Sequence, residues 1–360
     1  MRDATTPVPR EDDENVLLRE RILAWFDANR RDLPMRAEGV PPWGTLVGEV
    51  MSQQTPMPRV QPIWARWMRL WPTPTDLAAA SPAQVLVEWG SLGYPSRALR
   101  LRECAIAISE RPGGRVPANY EELLSLPGIG PYTASALVSF QFHGRIAVLD
   151  TNIRRVLVRT LLGLERPSSS APTAAERALA DSLLPLDGAA CAKWNVAIME
   201  FGALRCVQRA PACEDCPLAD SCRWLAAGRP ASQRPGRTQA WAGTDRQARG
   251  RVIALLRSLH AEVDGSRAFD ARSPSARASH SSAESITSAE HGGPSTDEGG
   301  AAASSSAIPE APVSVSRAEA LEAATLPGAE PDQAPRVLAA LLADGLVIET
   351  PDGRIALPTA

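Results

Sequence analysis

Four cysteines, Cys206, Cys213, Cys216 and Cys222, follow the spacing C-x6-C-x2-C-x5-C, and they constrain this chain more than any other feature. One close pair flanked by two outlying thiols can wrap a four-thiolate cofactor in a single compact loop. Disulfide pairing requires no such spacing, and zinc ribbons usually build from two CxxC pairs. The spacing reads as an iron–sulfur loop for a 4Fe-4S cluster. A structural zinc is the second reading, and a disulfide or accidental grouping the third.

With 360 residues, 44% of them hydrophobic, the chain can form two or three domains with at least one sizeable core. No apolar run has transmembrane length. The start is polar, proline-containing and acidic, unlike a signal peptide, so a cytoplasmic protein with no membrane partner is expected. Cys104 and Cys191 lie in helix-like apolar contexts and read as buried thiols. A net charge of −3 argues against a nucleic-acid binder only on average. Acidic residues gather at 11–14 and in the distal part, whereas arginines cluster at 97–102 and at Arg154, Arg155 and Arg159. These basic patches are expected to supply phosphate affinity. Lys193 is the only lysine, so amine chemistry elsewhere has no side chain to carry it.

Apolar residues recur at three- and four-residue steps from 16 to 224, separated by short Pro/Gly turns, with no alternating strand pattern. The class is mainly α. Residues 229–248, rich in Gly, Pro, Arg and Gln at their start, read as a linker. A short amphipathic helix is expected at 251–260. Residues 264–314 are then so rich in Ser, Ala, Gly and Glu that they cannot offset their ordering entropy, and a disordered insertion is expected. Helices at 317–324 and 333–343 and strands at 346–349 and 354–357, around the turn Pro351-Asp352-Gly353, complete a winged-helix-like layout.

Leu126-Pro127-Gly128-Ile129-Gly130, followed by Pro131-Tyr132-Thr133-Ala134-Ser135-Ala136, sits between two helical stretches. The glycines permit a tight turn with close backbone approach, and the amides opening the next helix would face a phosphate. This reads as a helix-hairpin-helix that grips the DNA backbone, the plainer alternative being an αα-turn. On the helix around Glu49, Leu46, Val47, Val50 and Met51 form the apolar face and Thr45, Glu49, Ser52 and Gln53 the opposite stripe. Glu49 alone reads as a solvated surface carboxylate. If its stripe lines a cleft, desolvation would make it a proton donor near neutrality. Asp150 precedes a helix and reads as its N-cap, an ionised carboxylate fixed in direction and able to stabilise a cationic sugar.

The stretches Arg31-Asp32-Leu33-Pro34, Gly48-Glu49-Val50-Met51-Ser52-Gln53-Gln54-Thr55, Leu92-Gly93-Tyr94, Val148-Leu149-Asp150-Thr151-Asn152, Met199-Glu200-Phe201-Gly202-Ala203 and Cys216-Pro217-Leu218 occur in one order with the hairpin and the cysteine loop. Over residues 16–224 the chain resembles the endonuclease III superfamily of DNA glycosylases, and within it the A/G-specific adenine glycosylases of the MutY type.

The resemblance implies the helix-hairpin-helix glycosylase fold. A six-helix barrel domain would occupy 34–145, an iron–sulfur domain 1–33 with 146–228, and the winged-helix-like unit 249–263 with 315–360. It implies a base excision repair enzyme acting on double-stranded DNA with adenine opposite 8-oxoguanine or guanine, as a monomer, at the nucleoid. Glu49 would protonate a ring nitrogen of the flipped adenine, and Asp150 would stabilise the oxocarbenium-like sugar. Gln54 and Tyr94 would enter the duplex near the orphaned base. Gln53 lies beside them, Leu126, Gly128 and Gly130 form the hairpin, Tyr132 and Asn152 line the pocket, and the four cysteines hold the 4Fe-4S cluster. Tyr132 stands where lyase relatives have lysine, so a monofunctional enzyme is expected. Met35 and Ser52 depart from the pattern and are expected to loosen the pocket. Nothing after Gly228 resembles the Nudix-like domain that many members use on 8-oxoguanine. A mismatch-specific thymine glycosylase and a non-catalytic iron–sulfur DNA-binding or redox module are the alternatives.

Overall fold

Most helix starts are encoded by short-range chemistry. In the computed structural model, which describes residues 13–232, 241–263 and 313–359, the chain begins with α1 (Asp13–Asn29) and a single 3-10 turn (Pro34–Arg36). There follow α2 (Pro42–Ser52), α3 (Met57–Leu70), α4 (Pro74–Ala79), α5 (Pro82–Trp89), α6 (Ser96–Ser109), α7 (Tyr120–Leu124) and α8 (Pro131–Phe140). Proline occupies the first turn of α2, α3, α4, α5 and α8, where its missing N–H is no loss and its fixed φ suits the helix. Reciprocal capping boxes reinforce α4 (Thr73 with Asp76) and α5 (Ser81 with Gln84). Next come α9 (Thr151–Leu162), α10 (Ala174–Ser182), α11 (Gly188–Leu204) and α12 (Arg223–Ala226).

Two groups of buried apolar side chains organise these helices. Trp67, Trp89, Leu46, Met51, Leu77, Leu101 and Ile108 centre the first, inside α2–α8. Ile22, Phe26, Val156, Leu157, Trp194, Ile198 and Phe201 centre the second, where α1, α9 and α11 meet. Helix α8 faces both, with Ala134 and Leu137 in the first group and Ala136 in the second. The seam between the two groups is where the candidate site lies.

The C-terminal unit comprises α13 (Asp245–Val263), β1 (Ser314–Val315), α14 (Arg317–Ala324), α15 (Gln333–Ala343), β2 (Ile348–Glu349) and β3 (Ile355–Ala356). The strands form an antiparallel sheet in the order β1-β3-β2. Its core, including Val252, Leu256, Leu338, Leu341 and Ile355, is continuous with the first group.

Two expectations need correction. Helix α13 begins at Asp245, not near 251, so the last part of the expected linker is helical and Ala248 is fully buried. Asp245 holds that start by pairing with Arg336 and accepting from Gln333, residues some ninety positions away that no local reading of the linker includes. The expected insertion runs one element too far, because Ser314 pairs with Ala356 in the sheet. The remainder of that insertion, 264–312, residues 233–240 of the linker and residues 1–12 lie outside the described residues.

Candidate active site and cysteine loop

Helix α2 has no solvent face over most of its length. Trp43 to Met51 are all buried, and Glu49 is 4% exposed. The surface reading of Glu49 is overturned because α3, α6, α8 and the 3-10 turn all pack around this helix. Met35 closes the turn tightly against it. A Cβ on Gly48 would fall 2.9 Å from the Met35 Cβ, so methionine leaves no slack there.

The Tyr132 hydroxyl donates to Glu49 Oε2 at 2.7 Å, and the Arg36 guanidinium lies 4.0 Å from Oε1. Burial pushes the Glu49 carboxyl up from the usual range. Arg36 and the Tyr132 hydroxyl pull it back in part, and the Asp150 charge raises it further. The phenol of Tyr132 is likewise held well above its ordinary value, first by burial and then by the Glu49 charge, so it stays a hydrogen donor.

Asp150 caps α9 as expected. Its Oδ1 accepts from the Ile153 amide at 2.6 Å and its Oδ2 from Asn152 Nδ2 at 2.6 Å. Burial raises this carboxyl too, against the pull of those donors and of Arg155. Asn152 Oδ1 in turn accepts from Arg155, which also donates to the Gly202 carbonyl at 2.6 Å. Gly202 must be glycine: a Cβ there would meet the Asn152 carbonyl oxygen at 2.7 Å.

Three charged residues join this site that the sequence reading left without roles. Glu200, 2% exposed, accepts from Arg31 Nη2 at 2.8 Å and lies 3.6 Å from Arg36. Arg36 is thereby held between two buried carboxyls. Arg31 and Glu200 lie in the segments Arg31-Asp32-Leu33-Pro34 and Met199-Glu200-Phe201-Gly202-Ala203, and their pairing is visible only in the fold. Arg36 lies in neither.

The hairpin turn has Gly128 at φ +75°, packed over Arg100, while Leu126 and Ile129 are buried beneath it. Gly130 is extended and caps α8, with open space where a Cβ would stand. On the next rim, Gln54 and Tyr94 both adopt left-handed backbone, at φ +55° and +49°. Neither is glycine, so neighbouring contacts must hold the strain. Arg97 does so. It donates to the carbonyls of Val50, Met51, Gln53, Leu92 and Gly93 and to Thr55 Oγ1. Burial draws its pKa down to about 10, which leaves it charged.

Cys206, Cys213, Cys216 and Cys222 line one pocket with Phe201, Leu218 and Trp224, and none is disulfide-bonded. Among the described residues no three His, Cys, Asp or Glu are gathered as a single metal ion would need. Four thiols lining one pocket are the donor chemistry that an iron–sulfur cluster takes. Arg159 braces the loop by donating to the carbonyls of Val207 at 2.8 Å and Gln208 at 3.2 Å and to the Cys206 sulfur at 3.5 Å, while stacking on Trp224.

The expected phosphate patch at Arg154, Arg155 and Arg159 is therefore wrong. All three are buried, and Arg154 binds Glu176 and the carbonyls of Ser169, Ser170 and Ala171. Their acceptors come from distant loops that local sequence does not reveal.

Residues 47–181 match the family model of the helix-hairpin-helix (HhH-GPD) superfamily of base excision DNA repair proteins. An adenine DNA glycosylase of Mycolicibacterium smegmatis is 47% identical over 66% of this chain and 79% of its own length. The chain belongs to the adenine DNA glycosylase family. Among solved structures, a thermostable thymine-DNA glycosylase aligns with a TM-score of 0.55 at 28% identity, over 59% of this chain and 97% of its own. A non-covalent endonuclease III–DNA complex aligns at 0.52 and 22% identity, over 60% and 96%, which speaks to fold alone. Membership of the adenine glycosylase family makes the thymine-specific and non-catalytic alternatives the weaker readings.

Proposed function

We propose that this protein is a monofunctional adenine DNA glycosylase of base excision repair, which hydrolyses the glycosidic bond of adenine mispaired with 8-oxoguanine or guanine. The observation that carries the reading is the buried Glu49, bonded to Tyr132 and electrostatically coupled to Asp150. Protonated Glu49 donates to a ring nitrogen of the extruded adenine, so the base leaves neutral as the C1′–N bond breaks. Asp150, fixed by the α9 amide and Asn152, faces the cationic sugar until water adds at C1′, and Glu49 takes up that water's proton. No lysine stands near to form a Schiff base, since Lys193 pairs with Asp27 at the surface. An intact abasic site is the product.

Gln53, Gln54 and Tyr94 enter or border the duplex at the orphaned base, Tyr132 and Asn152 line the base pocket, and Leu126, Gly128 and Gly130 present the hairpin to the backbone. Cys206, Cys213, Cys216 and Cys222 hold a 4Fe-4S cluster, whose role is to fix the DNA-facing loop. The domain plan is a barrel at 34–145, an iron–sulfur domain at 1–33 with 146–228 and a C-terminal unit, in a monomer that works on the cytoplasmic nucleoid.

The test is single-turnover base release from duplexes with A opposite 8-oxoguanine, G or C and T opposite G, with and without alkali. Alkali-dependent cleavage at adenine is expected, fastest opposite 8-oxoguanine. Thymine release, or strand cleavage without alkali, would overturn the reading.

A further inference from the structure

The loop that carries Tyr94 is held from two sides. From the barrel side, Trp89 Nε1 donates to the Gly93 carbonyl at 3.0 Å, Thr55 Oγ1 to Leu92, Arg59 to Ser91 and Arg97 to Leu92 and Gly93. From the other side come two arginines of α13. Arg257 donates to the Gly90 carbonyl, and Arg246 Nη1 donates to the Tyr94 hydroxyl at 2.7 Å. The C-terminal unit thus grips both ends of the loop, its base at Gly90 and its tip at Tyr94.

At the tip, the guanidinium of Arg246 lies 5.7 Å from the Tyr94 ring centroid and 4.8 Å from that of Trp241. Arg97 lies 5.5 Å from the Tyr94 ring as well. Tyr94 is 39% exposed and Trp241 51%. The result is an aromatic–guanidinium–aromatic surface on a rim where Arg97 ties the Gly93 carbonyl, next to Tyr94, to the Gln53 carbonyl, next to Gln54. Exposed rings interleaved with arginine form the sort of platform on which unpaired bases stack, with charge for the backbone beside it. Arg246 Nε is buried without a hydrogen-bond partner.

We infer that the C-terminal unit is a working part of the DNA-entry rim: Arg246 is a positioning residue for Tyr94, and Trp241 contacts the strand that faces the target base. The partner is duplex DNA opened at a mispair. The inference rests on the glycosylase reading for its location, but binding is measured without turnover.

The experiment uses the full chain carrying Glu49→Gln and follows anisotropy of duplexes with A opposite 8-oxoguanine or A opposite T. Trp241→Ala is expected to weaken binding to the mispaired duplex about tenfold, the scale of one lost base–aromatic stack, while the matched duplex loses far less. Arg246→Ala should weaken it similarly, and by clearly less when Tyr94→Ala is already present, because the two side chains act as one unit. Arg246→Lys, which keeps charge but not the planar stack, should recover only part of the loss. Mispair binding within twofold of the parent for both Trp241→Ala and Arg246→Ala would overturn the inference, as would additive effects of the Arg246 and Tyr94 changes. Absence of adenine release by the unsubstituted chain would instead sink the glycosylase reading and leave this result standing.

Discussion

Glu49 is a carboxyl kept where its charge is disfavoured, and that has two measurable consequences. Glu49→Gln preserves an acceptor for Tyr132 but removes the proton donor. Base release should fall by about 10²- to 10⁴-fold, with DNA binding retained. The stability consequence has the opposite sign. A carboxyl whose folded pKa is raised contributes stability that is present below its unfolded value and lost as pH rises through the folded one. Wild type should therefore lose stability relative to Glu49→Gln over that window, so the difference in melting temperature should shift in the variant's favour as pH rises through it. A constant margin would contradict the burial argument. The rate itself should be bell-shaped, limited on the acid side by ionisation of Asp150 and on the alkaline side by deprotonation of Glu49, both limbs displaced above ordinary carboxylates. At this scale the Asp150 cap was legible from one residue and the helix after it. Whether Glu49 saw water was not, because the helices that cover α2 come from elsewhere in the chain.

Helix positions carry their own hidden information. Arg154 points inward to Glu176, with side-chain exposures of 4% and 6%, so Arg154→Ala leaves a buried carboxylate without its counter-charge and three loop carbonyls without this donor. The expected loss is about 3–5 kcal/mol in chemical denaturation. A loss below about 1 kcal/mol would mean the pair is hydrated. Gly202→Ala drives a methyl into the first turn of α9, for about 1–3 kcal/mol of overpacking. It should also slow base release, since the displaced turn carries Asp150. The starts of α2 to α5 and α8 were readable because proline and capping boxes act within a few residues. The inward aim of Arg154, Arg155 and Arg159 was not, since their partners at 169–171, 202 and 206–208 are fixed only by tertiary packing.

For the molecule as a whole, the cysteine loop is joined to the catalytic seam through α9: Arg155 donates to the Cys206 carbonyl, Arg159 to Val207, and Asp150 caps the same helix. Cys216→Ser should lower iron per chain and the melting temperature together, and slow base release without a change in the bound Glu49–Tyr132 pair; full iron content in that variant would remove Cys216 from the proposed ligand set. The C-terminal unit was legible as helices and a ribbon but not as a neighbour of Tyr94, because single arginines in α13 make that contact. The meeting of α1 with α11 bears on how the chain is made. Arg31 and Glu200 stand 169 residues apart, so on the ribosome α1 emerges roughly 10–30 s before its partner at typical elongation rates. During that interval Leu18, Ile22 and Phe26 lack the α11 side chains Trp194, Ile198 and Phe201 that complete their core. Newborn chains should accordingly depend on chaperones until α11 has cleared the exit tunnel, more than a helical protein of local contacts would.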